Sequence, residues 1–189
     1  MADTSAFTEN DRMLMGKNYH FFNRADHIGR IDYPDYYGYL LSIASQSVKV
    51  WDPYFNVGDE VLFSRVQAGV DITILYMYNS RGGGYAPCPT AAAVKSSVEA
   101  HLPLVHGAVK VAYLPTSDAT LFDERKWHDR FLILDDTLVF LVGGSLAYQR
   151  SSAKCFGIYD IEEDEDAALV IERFEKTLYE VSSKGYVVI

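Results

Sequence analysis

The chain is poor in several features that would otherwise point to a class. Its 189 residues include only two cysteines, Cys88 and Cys155. They are far apart in sequence and lack metal-ligand spacing, so they read as reduced cytosolic thiols rather than a disulfide framework or a zinc site. Basic residues are outnumbered, with Lys and Arg totalling 17 against 26 Asp and Glu, for a formal net charge of −9. A protein that lives mainly by attraction to phosphate is basic. The whole-chain charge therefore does not suggest non-specific DNA binding or affinity for an anionic membrane. There is no run of 18 apolar residues, hence no expected spanning helix. The first residues, Met1 to Asn18, contain no apolar block and read as neither signal peptide nor anchor. His20, His27, His101 and His106 show no paired metal spacing. The expectation is a cytoplasmic protein with no metal, no other cofactor and no stable membrane association.

What is present is an ordinary globular composition, 49% hydrophobic and 23% charged, at a length that suits one domain with a substantial core. Residues 1–30 are polar and weakly patterned and read as an N-terminal arm or cap; residues 31–189 read as the domain. Within the domain, strands alternate with helices. Tyr36, Tyr39, Leu40, Ile43 and Ala44 repeat at helical spacing within Tyr36–Ser47, and Val48–Trp51 reads as the following strand, closed by Asp52-Pro53. Val57–Ala68 is expected as a second helix with Val61, Leu62 and Val66 inward, ended by Gly69. Asp71–Tyr78 is a strand, Ala91–Leu102 a helix and Val109–Leu114 another strand. After a polar loop come an apolar strand, Arg130–Leu134, and an antiparallel partner, Thr137–Val142, joined by the Asp135-Asp136 turn. Phe156–Ile161 is read as the last strand. Asp164–Ser182 is read as a long helix with Ala168, Ile171, Phe174, Leu178 and Val181 on one face. This alternation predicts an α/β fold, a mixed sheet with helices on both faces in a single domain.

Chemistry concentrates in one stretch, Trp127-His128-Asp129-Arg130-Phe131-Leu132-Ile133-Leu134-Asp135, followed by Gly143-Gly144-Ser145. Strand side chains alternate, so His128 and Arg130 share a face. A nucleophile or base thus stands beside a fixed cation at the mouth of a sheet.

This pattern resembles the phospholipase D superfamily, whose signature runs His-x-Lys, four residues, Asp, six residues, Gly-Ser-x-Asn. His128, Arg130 and Asp135 take the first three positions at the family's spacing. Arg130 replaces the Lys, Gly144-Ser145 arrives two residues late, and Ala147 stands where the family has Asn. The wording His-Asp-Arg-Phe-Leu-Ile is similar to a branch of small bacterial phospholipase D-like proteins. A related His-Asp-Arg step occurs in the eukaryotic phospholipase D-like domain that follows a microtubule-interacting-and-trafficking domain, which is regarded as a binding module.

The resemblance implies a phospholipase D-like fold and a metal-independent phosphodiesterase. One His attacks phosphorus to form a phosphohistidine, a second protonates the leaving group, and water releases the product. On that reading the catalytic residues are His128, Arg130, Asp135, Ser145 and Asp160. His128 is the nucleophile and Arg130 neutralises the phosphoryl oxygens. Ser145 donates to a phosphate oxygen or holds His128, and Asp135 anchors the motif. The acid that orients His128 is drawn from Asp160, Glu162 and Glu163, with Asp160 preferred, although a solvated helix start explains most of the run Glu162–Asp166. Gly144, Lys126 and Arg150 are the substrate-binding candidates. Arg125 and Lys154 also flank the motif. Only one motif copy is present, so the second His must come from a homodimer with the two sites facing across a two-fold axis.

Nucleic acid is favoured over phospholipid as substrate, because nothing suggests a lipid channel or an amphipathic membrane face and small one-motif members resemble non-specific nucleases. Service in bacterial defence is an association only. The alternative is a catalytically inactive dimerisation or ligand-binding module. The Arg81-Gly82-Gly83-Gly84 loop lacks the Lys-Ser/Thr ending of a phosphate-binding loop and reads as a surface loop at the rim. Trp51, Tyr54 and Phe55 read as core packing, with base stacking the lesser alternative.

Overall fold

The computed structural model describes residues 19–22, 33–55, 60–78, 89–118, 129–143 and 156–189. Their frame is one eight-stranded mixed sheet in the order β1-β7-β6-β5-β2-β3-β4-β8. The strands are β1 (Tyr19–Phe22), β2 (Ser47–Trp51), β3 (Asp71–Tyr78), β4 (Val109–Pro115), β5 (Phe131–Leu134), β6 (Leu138–Val142), β7 (Phe156–Asp160) and β8 (Val187–Val188). Strands β2, β3 and β4 run parallel. Strand β5 turns back antiparallel to β2, and β6, β7 and β1 continue antiparallel on that side. Helices α1 (Tyr33–Ile43), α2 (Ala91–Glu99) and α3 (Asp164–Ser183) pack around the sheet.

The alternation of side chains splits the core into two layers. Val48, Val50, Ile72, Ile74, Val111, Leu132, Leu134, Phe140 and Ile158 face one side and pack with Tyr37, Leu40 and Leu41 of α1 and Val94 and Val98 of α2. Trp51, Leu75, Leu114, Ile133 and Val139 face the other and pack on Phe174, Leu178 and Val181 of α3. The α/β fold with helices on both faces is therefore as expected from the sequence. β5 explains the unbroken apolar run after Arg130: Leu132, Ile133 and Leu134 are each wholly buried, two toward one layer and one toward the other. Thr90 caps α2 by accepting the Ala93 N–H. The acid run opens α3 with Asp164, Glu165 and Asp166 in its first turn, where the helix dipole favours negative charge.

Several expectations need correction. Where Val57–Ala68 is expected as a second helix, its described residues, 60–68, hold a 3-10 helix, Glu60–Arg65. Its buried residues are Glu60 and Phe63, while Val61 is exposed. Phe63 and Val66 pack in the core layer with α1, and Gly69, at φ 81°, turns the chain toward β3. In α3 the buried residue of the first turns is Ala167, not Ala168. The polar N-terminal stretch contributes β1 to the sheet, paired with β7. β7 is not the last strand, since β8 adds to the far edge beside β4. Among the described residues no helix is long and apolar enough to cross a membrane.

Two polar ties hold the middle of the sheet. Lys49 of β2 reaches Asp136 in the β5–β6 turn and Glu175 of α3, the latter at 2.6 Å. Burial opposes its charge, yet the two carboxylates outweigh burial and hold the ammonium above its ordinary pKa. The other tie is Asp135. Asp135 and Asp136 both have φ 54°, and the Thr137 N–H donates to the Leu134 carbonyl across them. This is the backbone of a type I′ hairpin turn, which aspartate tolerates better than most residues. The Asp135 carboxylate then accepts the backbone N–H groups of Ser45, Gln46 and Ser47, at 2.9, 2.7 and 2.9 Å, and the Ser45 hydroxyl at 2.8 Å. Burial raises its pKa, but the three amides and the hydroxyl lower it further, leaving it below its ordinary value.

Replacing Asp135 by Ala removes every one of these acceptors and is expected to cost about 2 kcal/mol, the upper end for loss of a capping carboxylate. The sign of the pH effect follows from the depressed value. The stabilisation is complete above the unfolded carboxyl pKa near 3.8 and is lost as pH falls through the lower folded value. Denaturant titrations of wild type and Asp135→Ala should therefore differ at neutral pH and converge in strong acid. A gap that persists unchanged to the lowest pH would contradict this assignment.

Candidate active site

The C-terminal ends of the parallel strands β2, β3 and β4 and the N-terminal end of β5 lie at one edge of the sheet, because β5 is antiparallel to β2. Ligand sites of open α/β sheets form at such ends. Arg130 stands there, one residue before β5. Its carbonyl accepts the Val142 N–H at 2.8 Å, which keeps it in the sheet and brings Gly143 to the same end. Alternation from Leu132 turns its side chain toward the layer that α1 and α2 cover.

The register of β2 against β5 pairs Trp51 with Phe131, so the next residue out, Asp52, falls opposite Arg130. Asp52 is buried and Arg130 largely so. The Oδ1 of Asp52 is 3.5 Å from Nε of Arg130. That Nε is buried and makes no hydrogen bond among the described residues. The same Oδ1 accepts the Tyr54 N–H at 2.9 Å, an Asx-type turn that holds the carboxylate in place. The Tyr54 ring lies over the guanidinium, 5.0 Å from its Cζ, and is itself exposed. Below the pair, Trp51 anchors the strand end against Phe131 and Phe174. Arg130 is thus held along one edge by a carboxylate and on one face by an aromatic ring. Its remaining donors are those of the two Nη groups.

The other site residues expected from sequence are distributed differently. Asp135 lies at the opposite end of β5. The four residues of β5 separate it from Arg130, about 16 Å of extended chain. Its carboxylate ties the turn to the start of β2, so it contributes structure to the motif and does not touch the Arg130 end. Asp160 pairs with Phe140, which pairs with Leu132. It therefore shares the face of Arg130 but lies two strands over and two residues deeper, about 12 Å away in backbone position. Burial, aided by the negative charge of Glu162, pushes its carboxyl above the ordinary value. Glu162 and Glu163 are exposed at the start of α3. His128, Ser145, Gly144, Lys126 and Arg150 lie outside the described residues. So do the Arg81-Gly82-Gly83-Gly84 loop, Arg125 and Lys154.

Asp52 and Tyr54 are the site residues that sequence reasoning missed. Tyr54 reads as core, and Asp52 as a strand stop before Pro53. The one available signal was position: a carboxylate at the C-terminal end of a strand that precedes a helical segment.

The arrangement shares its fold with solved structures, one of them described as a phospholipase D family member. Two solved structures resemble it over most of their length. NucT from Helicobacter pylori is 16% identical, with a TM-score of 0.52, and the match covers 86% of this chain and 96% of that one. Nuc from Salmonella typhimurium, a phospholipase D family member, is 13% identical, with a TM-score of 0.51, covering 86% and 94%. At these identities the likeness is one of fold. No protein-family model matches the chain, and no curated protein matches it in sequence.

The raised pKa of Asp160 gives a test of whether that carboxylate serves a cation. A carboxyl whose folded pKa lies above the unfolded value near 3.8 weakens the fold once ionised, and that cost fades as pH falls through the raised value. Asp160→Asn is therefore expected to melt at a higher temperature than wild type near neutral pH and at an equal one in acid. A lower melting temperature at neutral pH would instead reveal a positive partner for Asp160.

Proposed function

We propose that this protein is a metal-independent phosphodiesterase, acting as a nuclease through a phosphohistidine intermediate in a homodimer. The observation that carries the reading is Arg130. It is a largely buried guanidinium at the ligand-binding end of a phospholipase D-like sheet, two residues after a histidine and oriented by Asp52 and Tyr54. Buried arginine at such a place suits the equatorial oxygens of a phosphoryl group, which gain charge as the nucleophile approaches.

In this mechanism an imidazole nitrogen of His128 attacks phosphorus. The P–O bond to the leaving nucleoside breaks, and that oxygen takes a proton from His128 of the partner subunit. Water then attacks the phosphohistidine, returning its proton to the same partner imidazole and freeing a phosphomonoester. Each protomer carries one motif, so each subunit supplies one imidazole, as a two-fold axis permits. Ser145 donates to a phosphoryl oxygen, and Lys126 and Arg150 meet the backbone of a nucleic acid. The net charge of −9 is consistent with this only if binding depends on a few placed cations and not on the whole surface.

Two measurements test the reading. His128→Ala is expected to lower cleavage of a generic phosphodiester by at least about a thousandfold, because both steps pass through this residue. Arg130→Ala should lose about a hundredfold, and Arg130→Lys should lose less. Wild-type activity should survive a chelator, whereas loss on chelation with recovery on adding magnesium would exclude the mechanism. If His128→Ala cleaves as fast as wild type, a ligand-binding module is the better description. Assembly is tested separately: sedimentation at micromolar concentration should show a dimer, and a monomer that still cleaves would remove the second imidazole from the scheme.

A further inference from the structure

We infer that Asp52 sets the charge preference of the Arg130 site, so that it accepts a singly charged phosphodiester and disfavours the doubly charged phosphomonoester that hydrolysis releases. This rests on reading Arg130 as the phosphoryl-binding group.

The geometry places a second charge inside the site. The Asp52 side chain is 5% exposed and its Oδ1 is 3.5 Å from Arg130 Nε. The Tyr54 N–H, 2.9 Å from that oxygen, keeps the carboxylate from swinging away when a ligand arrives. The Tyr54 ring meets the guanidinium from its face. Arginine allows this arrangement where lysine does not. A planar fork can give one edge to a carboxylate and still present two nitrogens to a phosphoryl group, whereas an ammonium is a single point charge. An anion on those nitrogens sits within a few ångströms of the Asp52 carboxylate as well.

Coulomb repulsion scales with the product of the charges. Asp52 therefore opposes a dianion with twice the free energy with which it opposes a monoanion, and the corresponding factors in affinity are related as a square. A phosphodiester carries one negative charge. A phosphomonoester carries close to two above its second pKa of about 6. Hydrolysis converts the first into the second within the site, so Asp52 favours entry of substrate over retention of product.

The test uses binding and needs no turnover. Dimethyl phosphate is the monoanion and methyl phosphate the dianion, both titrated by calorimetry at about pH 8.5 into wild type, Asp52→Asn, Asp52→Ser and Arg130→Ala. Asn and Ser keep an oxygen that can accept the Tyr54 N–H, and a cooperative melt confirms that each variant is folded. If Asp52→Asn tightens dimethyl phosphate by about tenfold, it should tighten methyl phosphate by about a hundredfold. Asp52→Ser should show the same ordering. Equal gains for the two anions, or no gain, overturn the inference. In that case loss of binding in Arg130→Ala still supports the phosphoryl-site reading. Absence of any Arg130-dependent binding overturns both.

Discussion

The carboxylate of Asp135 is the contact on which the geometry of the Arg130 end depends. It joins the β5–β6 turn to the three backbone amides at the start of β2, and in doing so it fixes how β2 and β5 slide past each other. Strand side chains alternate, so a slip of one residue would send Leu132 and Leu134 to the wrong layer and carry Asp52 away from Arg130. Asp135 therefore acts on Arg130 through the whole length of a buried strand. A residue at the far end of β5 thus shapes the Arg130 end without approaching it.

Lys49 supports the same register from the other face. It stands between the hairpin turn and α3, so helix and turn are both referred to β2. With Trp51 packed against Phe131 and Phe174, β2 is tied to its neighbours at both ends. The cation at the ligand end is then held by groups that cannot relax independently. Such preorganisation lets a few donors meet an anionic group without having to reorganise around it.

Much of this frame could be read from local pattern. The apolar run Phe131–Leu134, the Asp135-Asp136 turn and the acid-opened helix from Asp164 each declare themselves within a short window. What escaped the reading depends on neighbours. β1 and β8 are four and two residues long, and they are strands because an exposed sheet edge is there to receive them. Ala167 replaces Ala168 on the inner face because packing on the sheet, not the pattern alone, sets the rotation of α3. Asp52 and Tyr54 become site residues only through the order of strands, which places β5 beside β2 although β3 and β4 intervene in the chain. Arg130 was legible because its meaning lay in its own segment. Its partners were not, because theirs lay in the topology.

The placement of β1 also bears on how the chain comes to be folded. Tyr19 pairs with Tyr159 and Phe22 with Phe156, so this strand is made well over a hundred residues before the partner it pairs with. β8 closes the opposite margin from still later in the chain. During translation the parallel centre β2-β3-β4 can assemble while both margins remain open, each a row of unpaired backbone groups able to recruit a neighbouring chain. The interval before the margins close is the stage at which the nascent protein is most exposed to aggregation, and its length is set by the order of strands along the chain.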